Sequence, residues 1–208
     1  MRALSNSYIW CYRGGGEHLS IVYDYQETRG GYHAQQFLAG FKGFLQTDAY
    51  SGYNWIDGDE NIISIGCNAH TRRSFAELAK LSKSSVLAHD ALKFYKKLYA
   101  IEKEARENNL SSDARYLLRE EKASPVLEAF KQLLDHNLLK TPEQSKIGKA
   151  IHYCLNNWAE LTNYLMDGRI EIDNNLIENA IRPFALGRKN WLFHGAQVAQ
   201  KQVQLFIH

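Results

Sequence analysis

Two acidic side chains stand where chemistry is often done. Asp48 follows the apolar pair Phe44-Leu45 and precedes the aromatic turn Tyr50-Ser51-Gly52-Tyr53. It therefore ends a strand and can face a cleft, the usual place for active-site carboxylates. An Asp here equally fits a simple turn cap. Glu178 lies in a segment whose Leu176, Ile177, Ala180 and Ile181 form one helical face, which leaves Asn175, Glu178 and Arg182 on the other. From there it points to solvent or a cleft, or pairs with Arg182 at i, i+4 for about 0.2–0.5 kcal/mol.

Three other groups qualify by type. Cys67 and His70 have a spacing that could begin a zinc site, but a second such pair is missing from the sequence, so a structural role is expected. Tyr50, Tyr53 and Trp55 could stack on bases, although core packing suits them better. From Arg182 onward there are 4 basic residues and no acids, whereas residues 1–66 hold 4 basic against 7 acidic side chains. A nucleic acid would thus meet a basic strip near the C-terminus, which the overall charge of +2 conceals.

The elements that must position these groups follow from periodicity. Strands are expected at Tyr8–Tyr12, Leu19–Tyr25, Gly43–Thr47 and Ile62–Ile65, with a turn at Gly14-Gly15-Gly16 and a short helix over His33–Gly40. From Asn68 to Met166 the pattern is helical. Its clearest stripe is Ile147, Ile151, Cys154, Trp158, Leu161 and Leu165, bounded by Pro142 and Gly168. A further helix opens at Asp173 as its cap and closes near Pro183, followed by a strand at Asn190–Phe193 and a last helix. This order predicts an α+β fold with a helical insertion. The expected regions are 1–66 (strands), 67–168 (mostly helical insertion) and 169–208 (the part bearing Glu178).

Bulk properties set limits. At 208 residues, 45% hydrophobic and 23% charged, the chain can bury a core. Three scattered cysteines argue against a disulfide framework. No run approaches the roughly 18 apolar residues of a membrane span and no signal peptide is visible, so a cytoplasmic location without membrane partners is expected.

The run RIEIDNNLIENAIRPFALGRKNWLFHGA, starting at Arg169, crowds more polar residues than a plain helix and turn require. It resembles the signature around the third acid of transposases of the insertion-sequence-66 family, a bacterial group of DDE transposases: D-N-N-x-x-E-x-x-x-R-P-x-x-x-G-R-K, with every fixed position present. GFLQTDAYSGYN is similar to that family's strand carrying the second acid. Cys67, His70, Arg72, Arg73 and Phe75 match its C-x-x-H-x-R-R-x-F element. The three matches run in order from about Tyr8 to Ala196.

The resemblance implies that Asp48 is the second and Glu178 the third metal-binding acid, on a ribonuclease-H-like sheet with helices inserted between them. Cys67, His70, Asn174 and Asn175 become motif residues near the site. Carboxylate oxygens are hard ligands suited to Mg²⁺ or Mn²⁺, and two such ions can activate an attacking oxygen and stabilise the leaving one in phosphodiester cleavage and strand transfer. Arg182, Arg188 and Lys189 would contact DNA phosphates. The implied partners are element-end and target DNA, with a homo-oligomer or a full-length transposase as a protein partner.

The family's first acid lies on a strand before the one at Tyr8–Tyr12, in a D-E-T-P-like motif that this sequence lacks. Neither Asp24 nor Glu17 is expected to replace it. The chain therefore reads as cut at both ends, and as inactive alone. Its central strand would be missing, leaving two open inner edges and either marginal stability or a sheet closed in another way. The alternatives are a non-catalytic DNA-binding or regulatory fragment, and an unrelated metal-dependent nuclease using Asp48, Glu178 and some other acid.

Overall fold

The computed structural model describes residues 8–14, 20–82, 85–190 and 202–207, with side chains in the last helix described as far as Arg182. The chain forms two compact units: Met1–Ile65 together with Asp173–His208, and Gly66–Ile172.

The first unit is built on a mixed five-stranded sheet in the order β2-β1-β5-β3-β4. Its strands are β1 (Tyr8–Gly14), β2 (Ser20–Gln26), β3 (Gly43–Gln46), β4 (Ile62–Ile65) and β5 (Gln202–Ile207). β1 pairs antiparallel with β2, and β3 pairs parallel with β4. β5 joins these two halves, parallel to β1 and antiparallel to β3. Alternation along β1 splits its side chains between the two faces. Trp10 and Tyr12 pack on one face with Leu45, with Ala34 and Leu38 at helix α1 (Tyr32–Phe37), and with Tyr53 and Ile56 of a 3-10 helix over Ser51–Gly58. Tyr12 stacks on Phe37 with ring centroids 3.8 Å apart. On the other face, Ile9 and Cys11 pack against Ile177 and Ile181 of helix α7 (Asn175–Asn190).

The second unit is helical: α2 (Asn68–Leu81), α3 (Val86–Glu107), α4 (Ser112–Leu138), α5 (Lys146–Asn156), α6 (Trp158–Thr162) and a 3-10 turn over Asn163–Met166. Phe130 is its aromatic hub, with ring centroids 5.1 Å from Phe94, 5.3 Å from Tyr95 and 5.8 Å from Trp158. Ser111 and Ser145 cap α4 and α5 by accepting from the amides of Ala114 and Gly148.

The mixed α/β class and the first four strands agree with the sequence pattern; five local expectations need correction. The stripe from Ile147 to Leu165 is not one helix, because Asn157 leaves helical geometry (φ −106°, ψ 20°) while its side-chain amide donates to the Tyr153 carbonyl at 2.6 Å. The Asp173 helix does not close at Pro183 but runs through it to Asn190. A proline there removes its own N–H bond and crowds the carbonyl four residues before it, at about 3 kcal/mol, against which the surrounding Ala, Leu, Arg and Lys are good helix formers; α4 likewise contains Pro125. Leu176 is exposed rather than buried, so the buried stripe narrows to Ile177 and Ile181. Of the strand expected at Asn190–Phe193, Asn190 ends α7 and residues 191–193 lie outside the described residues. Residues 202–207, expected as part of a last helix, form β5 instead, where apolar Val203, Leu205 and Ile207 alternate with Gln202, Gln204 and Phe206. The inner edges of β1 and β3 are thus both paired, and the sheet is closed by the chain's own later strand.

Candidate functional site

Asp48 stands just past β3. The amide of Thr47 still donates to the Ile65 carbonyl at 2.9 Å, prolonging the ladder with β4 by one residue. The chain then turns: Asp48 Oδ1 accepts the Tyr50 amide at 3.2 Å, Thr47 Oγ1 accepts the Ala49 amide at 3.4 Å, and Ala49 takes a positive φ of 58°. A non-glycine residue in the left-handed region costs about 1–2 kcal/mol, and such strain concentrates at functional sites. The turn cap read from the sequence is therefore formed, and it fixes a half-buried carboxylate at the end of a parallel strand pair.

Leu45 belongs to the Trp10–Tyr12 side of the sheet, as does Tyr53, whose hydroxyl is pushed up by burial and next by the charge of Asp48. Ile177, next to Glu178 in α7, packs on Cys11.

Glu178 is half-buried in the first turn of α7. The Asn174 carbonyl accepts the amides of Ile177 and Glu178, each at 3.1 Å, so the helix begins at Asn175. Asp173 is buried, and its carboxylate accepts the Asn175 amide at 3.0 Å and the Asn175 side-chain amide at 2.7 Å. The Asp-Asn-Asn sequence is thereby a local device that starts the helix at a fixed point. The positive end of the helix dipole favours a carboxylate there. Arg182, one turn on, is exposed, while the side chains of Arg188 and Lys189 lie outside the described residues.

Asp48, Asn174, Asn175, Glu178 and Arg182 thus belong to the sheet unit, and Cys67 and His70 to the helical one. Cys67 is buried where α2 starts, and its carbonyl accepts the His70 amide at 3.2 Å. All three cysteines are free and buried, and burial pushes the Cys11 and Cys154 thiols up to about 12, which removes them as nucleophiles. Tyr53 belongs to the core, and Tyr50 is held by a hydrogen bond to the Arg29 carbonyl at 2.9 Å with the Arg29 guanidinium over its ring.

Asp24 pairs with Trp10, so it lies on the face away from α7, on an edge strand three spacings or about 14 Å from β3. Its carboxylate holds the Gln26 side-chain amide. It cannot share an ion with Asp48. Among the described residues no group of three His, Cys, Asp or Glu side chains could hold a metal ion.

Sequence reasoning missed a buried charge cluster in the helical unit. Arg119 is fully buried and uses every N–H. Nε and Nη2 donate to Glu102 at 2.8 and 3.0 Å, Nη1 to the carbonyls of Tyr164 and Asp167, and Nη2 also to that of Ile170. Arg115 bridges Glu102 to Glu171. The cluster clamps the turn that leads to Asp173. No motif announces it; charged residues on amphipathic helices read as solvated.

A two-unit α/β protein with two carboxylates at a strand end and a helix start is the class so defined. Residues 2–202 match the model of the transposase IS66 family, and the chain belongs to that family. It is 35% identical over 206 residues to the uncharacterized protein y4qI of Sinorhizobium fredii and 34% identical over 210 residues to the uncharacterized protein y4hP of the same organism, matches that take in 93% and 91% of this chain. The chain spans 38% of the length of each of these two relatives. No solved structure matches it significantly. No described helix is long and apolar enough to cross a membrane.

Proposed function

We propose that this chain carries two members of the acid set of a DNA transposase, Asp48 as the second and Glu178 as the third, on a ribonuclease-H-like sheet with a helical insertion. The reading is supported by the family match and by the position of the two acids in one unit, Asp48 just past the end of β3 and Glu178 in the first turn of α7. The family's reaction is transposition of DNA, and its members use a divalent metal ion. We assign no catalytic step to this chain by itself, which spans 38% of the length of y4qI, and its purified form is expected to give no strand transfer. Arg182, Arg188 and Lys189 are the proposed phosphate contacts.

The test is cleavage and strand transfer on element-end DNA by a full-length family transposase bearing Asp48→Asn or Glu178→Gln at the matching positions. Each change should lower the rate on the order of 10³-fold or more, as removal of a central catalytic group does. Near-normal turnover in either variant would dismiss the assignment. A second reading, a non-catalytic DNA-binding or regulatory chain, draws on the acid-free stretch from Arg182 onward. It predicts a gel shift by this chain alone that weakens steeply with salt and whose salt slope falls in Arg182→Ala, Arg188→Ala and Lys189→Ala.

A further inference from the structure

We propose that Arg29 is a phosphate-binding residue of the Asp48 site, presenting its guanidinium to the backbone of the DNA strand that reaches that carboxylate. Arg29 lies in the loop between β2, which ends at Gln26, and α1, which begins at Tyr32. That loop is docked on the turn that carries Asp48. The Tyr50 hydroxyl donates to the Arg29 carbonyl at 2.9 Å, and the Arg29 guanidinium carbon lies 3.6 Å from the centre of the Tyr50 ring. The Tyr50 amide in turn donates to Asp48 Oδ1 at 3.2 Å, so one tyrosine ties the guanidinium to the carboxylate. The two loops also meet backbone to backbone, since a Cβ at Gly31 would strike the Gly52 carbonyl. The buried Tyr53 hydroxyl registers both charges: burial raises it most, Asp48 raises it next, and Arg29 opposes them.

What the guanidinium can do there follows from what it leaves unused. A guanidinium stacked on a ring spends its face and keeps its N–H groups, which lie in its plane. Arg119 shows how an arginine that serves the fold behaves in this chain, with Glu102 and three carbonyls taking its donors. The side chain of Arg29, by contrast, makes no hydrogen bond or ion pair to a described residue, and its Nε is buried without an acceptor. A buried N–H left without an acceptor is costly for the fold alone. A phosphodiester supplies that acceptor, and the planar fork can take two of its oxygens at once. Asp48 by itself repels a phosphate, and a cation fixed to the same turn offsets that repulsion. The ring also holds the side chain in place beforehand, so less freedom is lost on binding. The inference deepens the reading of Asp48 as an acid of phosphodiester chemistry and rests on it for the choice of ligand.

The probe is a fluorescently labelled DNA duplex of arbitrary sequence, titrated with this chain at several salt concentrations. The logarithm of the affinity should fall linearly with that of the salt concentration, and Arg29→Met should reduce the slope by about 0.9, the share of one phosphate. Arg29→Lys should keep most of the slope, since the charge remains, while binding weakens through loss of the stack and the fork. A merely structural Arg29 would shift the melting curve and leave the salt slope where it was. An unaltered chain that binds no duplex at low salt overturns the proposal, as does a folded Arg29→Met chain with an undiminished slope. Should that variant not fold, arginine-selective labelling of the unaltered chain with phenylglyoxal, mapped by mass spectrometry, decides. Bound DNA should slow the labelling of Arg29 severalfold, and equal rates with and without DNA overturn the proposal. The catalytic test fails separately: near-normal turnover in Asp48→Asn removes the role of the acid and leaves the Arg29 slope to be measured, whereas an unmoved slope removes the phosphate contact alone.

Discussion

The helical unit and the sheet unit solve the burial of polar groups in opposite ways. In the first, a charge cluster is taken fully out of water and saturated: Arg119 at 0% exposure spends its five N–H groups on Glu102 and three carbonyls. In the second, Asp48 and Glu178 stay half-buried at a strand end and a helix start. Buried charges with every bond made specify one geometry and tolerate no loss. Half-exposed carboxylates add little to stability and keep capacity to bind something else. Arg119 and Glu102 thus hold a turn, whereas Asp48 and Glu178 stay partly open to solvent.

The largest test of this contrast is Arg119→Met. It leaves Glu102, 1% exposed, with Arg115 as its remaining arginine partner and releases three carbonyls, and should cost about 3–5 kcal/mol in denaturant unfolding followed by circular dichroism. Adding Glu102→Leu should recover part of the loss, since removing both members of a buried pair is often near neutral. A single change costing under about 1 kcal/mol, the size of an exposed pair, would break the comparison.

The sheet unit depends instead on apolar contact. Leu45 is fully buried between the Trp10–Tyr12 side of the sheet and its helices. Leu45→Ala should cost about 2–5 kcal/mol, read from the shift of the urea midpoint. A smaller loss would mean that the half-sheet of β3 and β4 contributes little to the folded state.

Acid should reach the helical unit through Glu171. Burial alone would raise its carboxyl, but the hydrogen bond and charge of Arg115, with Arg119 beyond, outweigh this and hold it below the ordinary glutamate range. A group depressed in the folded state contributes stability that is present above its unfolded value and lost as pH falls through the folded one. Unfolding free energy should therefore drop below the ordinary glutamate range, and Glu171→Gln should flatten that drop. An unchanged pH profile in the variant would show that other acids govern it.

Legibility in the sequence followed the range of the interactions. β1 to β4 and α2 were readable because alternation and helical spacing are local, while Asp48 and Glu178 stand out in the sequence because a motif surrounds each. β5 was read as helix although Val203, Leu205 and Ile207 alternate. Its strand partners lie more than 150 residues away in the chain, and six residues are too few for periodicity to decide. Arg119 and Glu102 escaped notice because each sits on a long amphipathic helix whose charges look solvated until the Tyr164–Ile170 turn packs over them. Pro183 misled because a proline ends most helices, while the anchoring of α7 on Cys11 by Ile177 and Ile181 is a tertiary fact.

Glu178→Gln is the smallest change in stability and the sharpest test of the sheet unit. The side chain is half-buried in the first turn of α7, where its charge faces the positive end of the helix dipole. Losing the charge forfeits about 0.3–1 kcal/mol at low salt and less at high salt, while the helix start itself is secured by the Asp173 carboxylate and the Asn174 carbonyl. A residue kept for binding should therefore leave the melting curve almost unmoved. A loss of several kcal/mol would instead place Glu178 with Arg119, as a charge the fold needs, and the contrast between the two units would disappear.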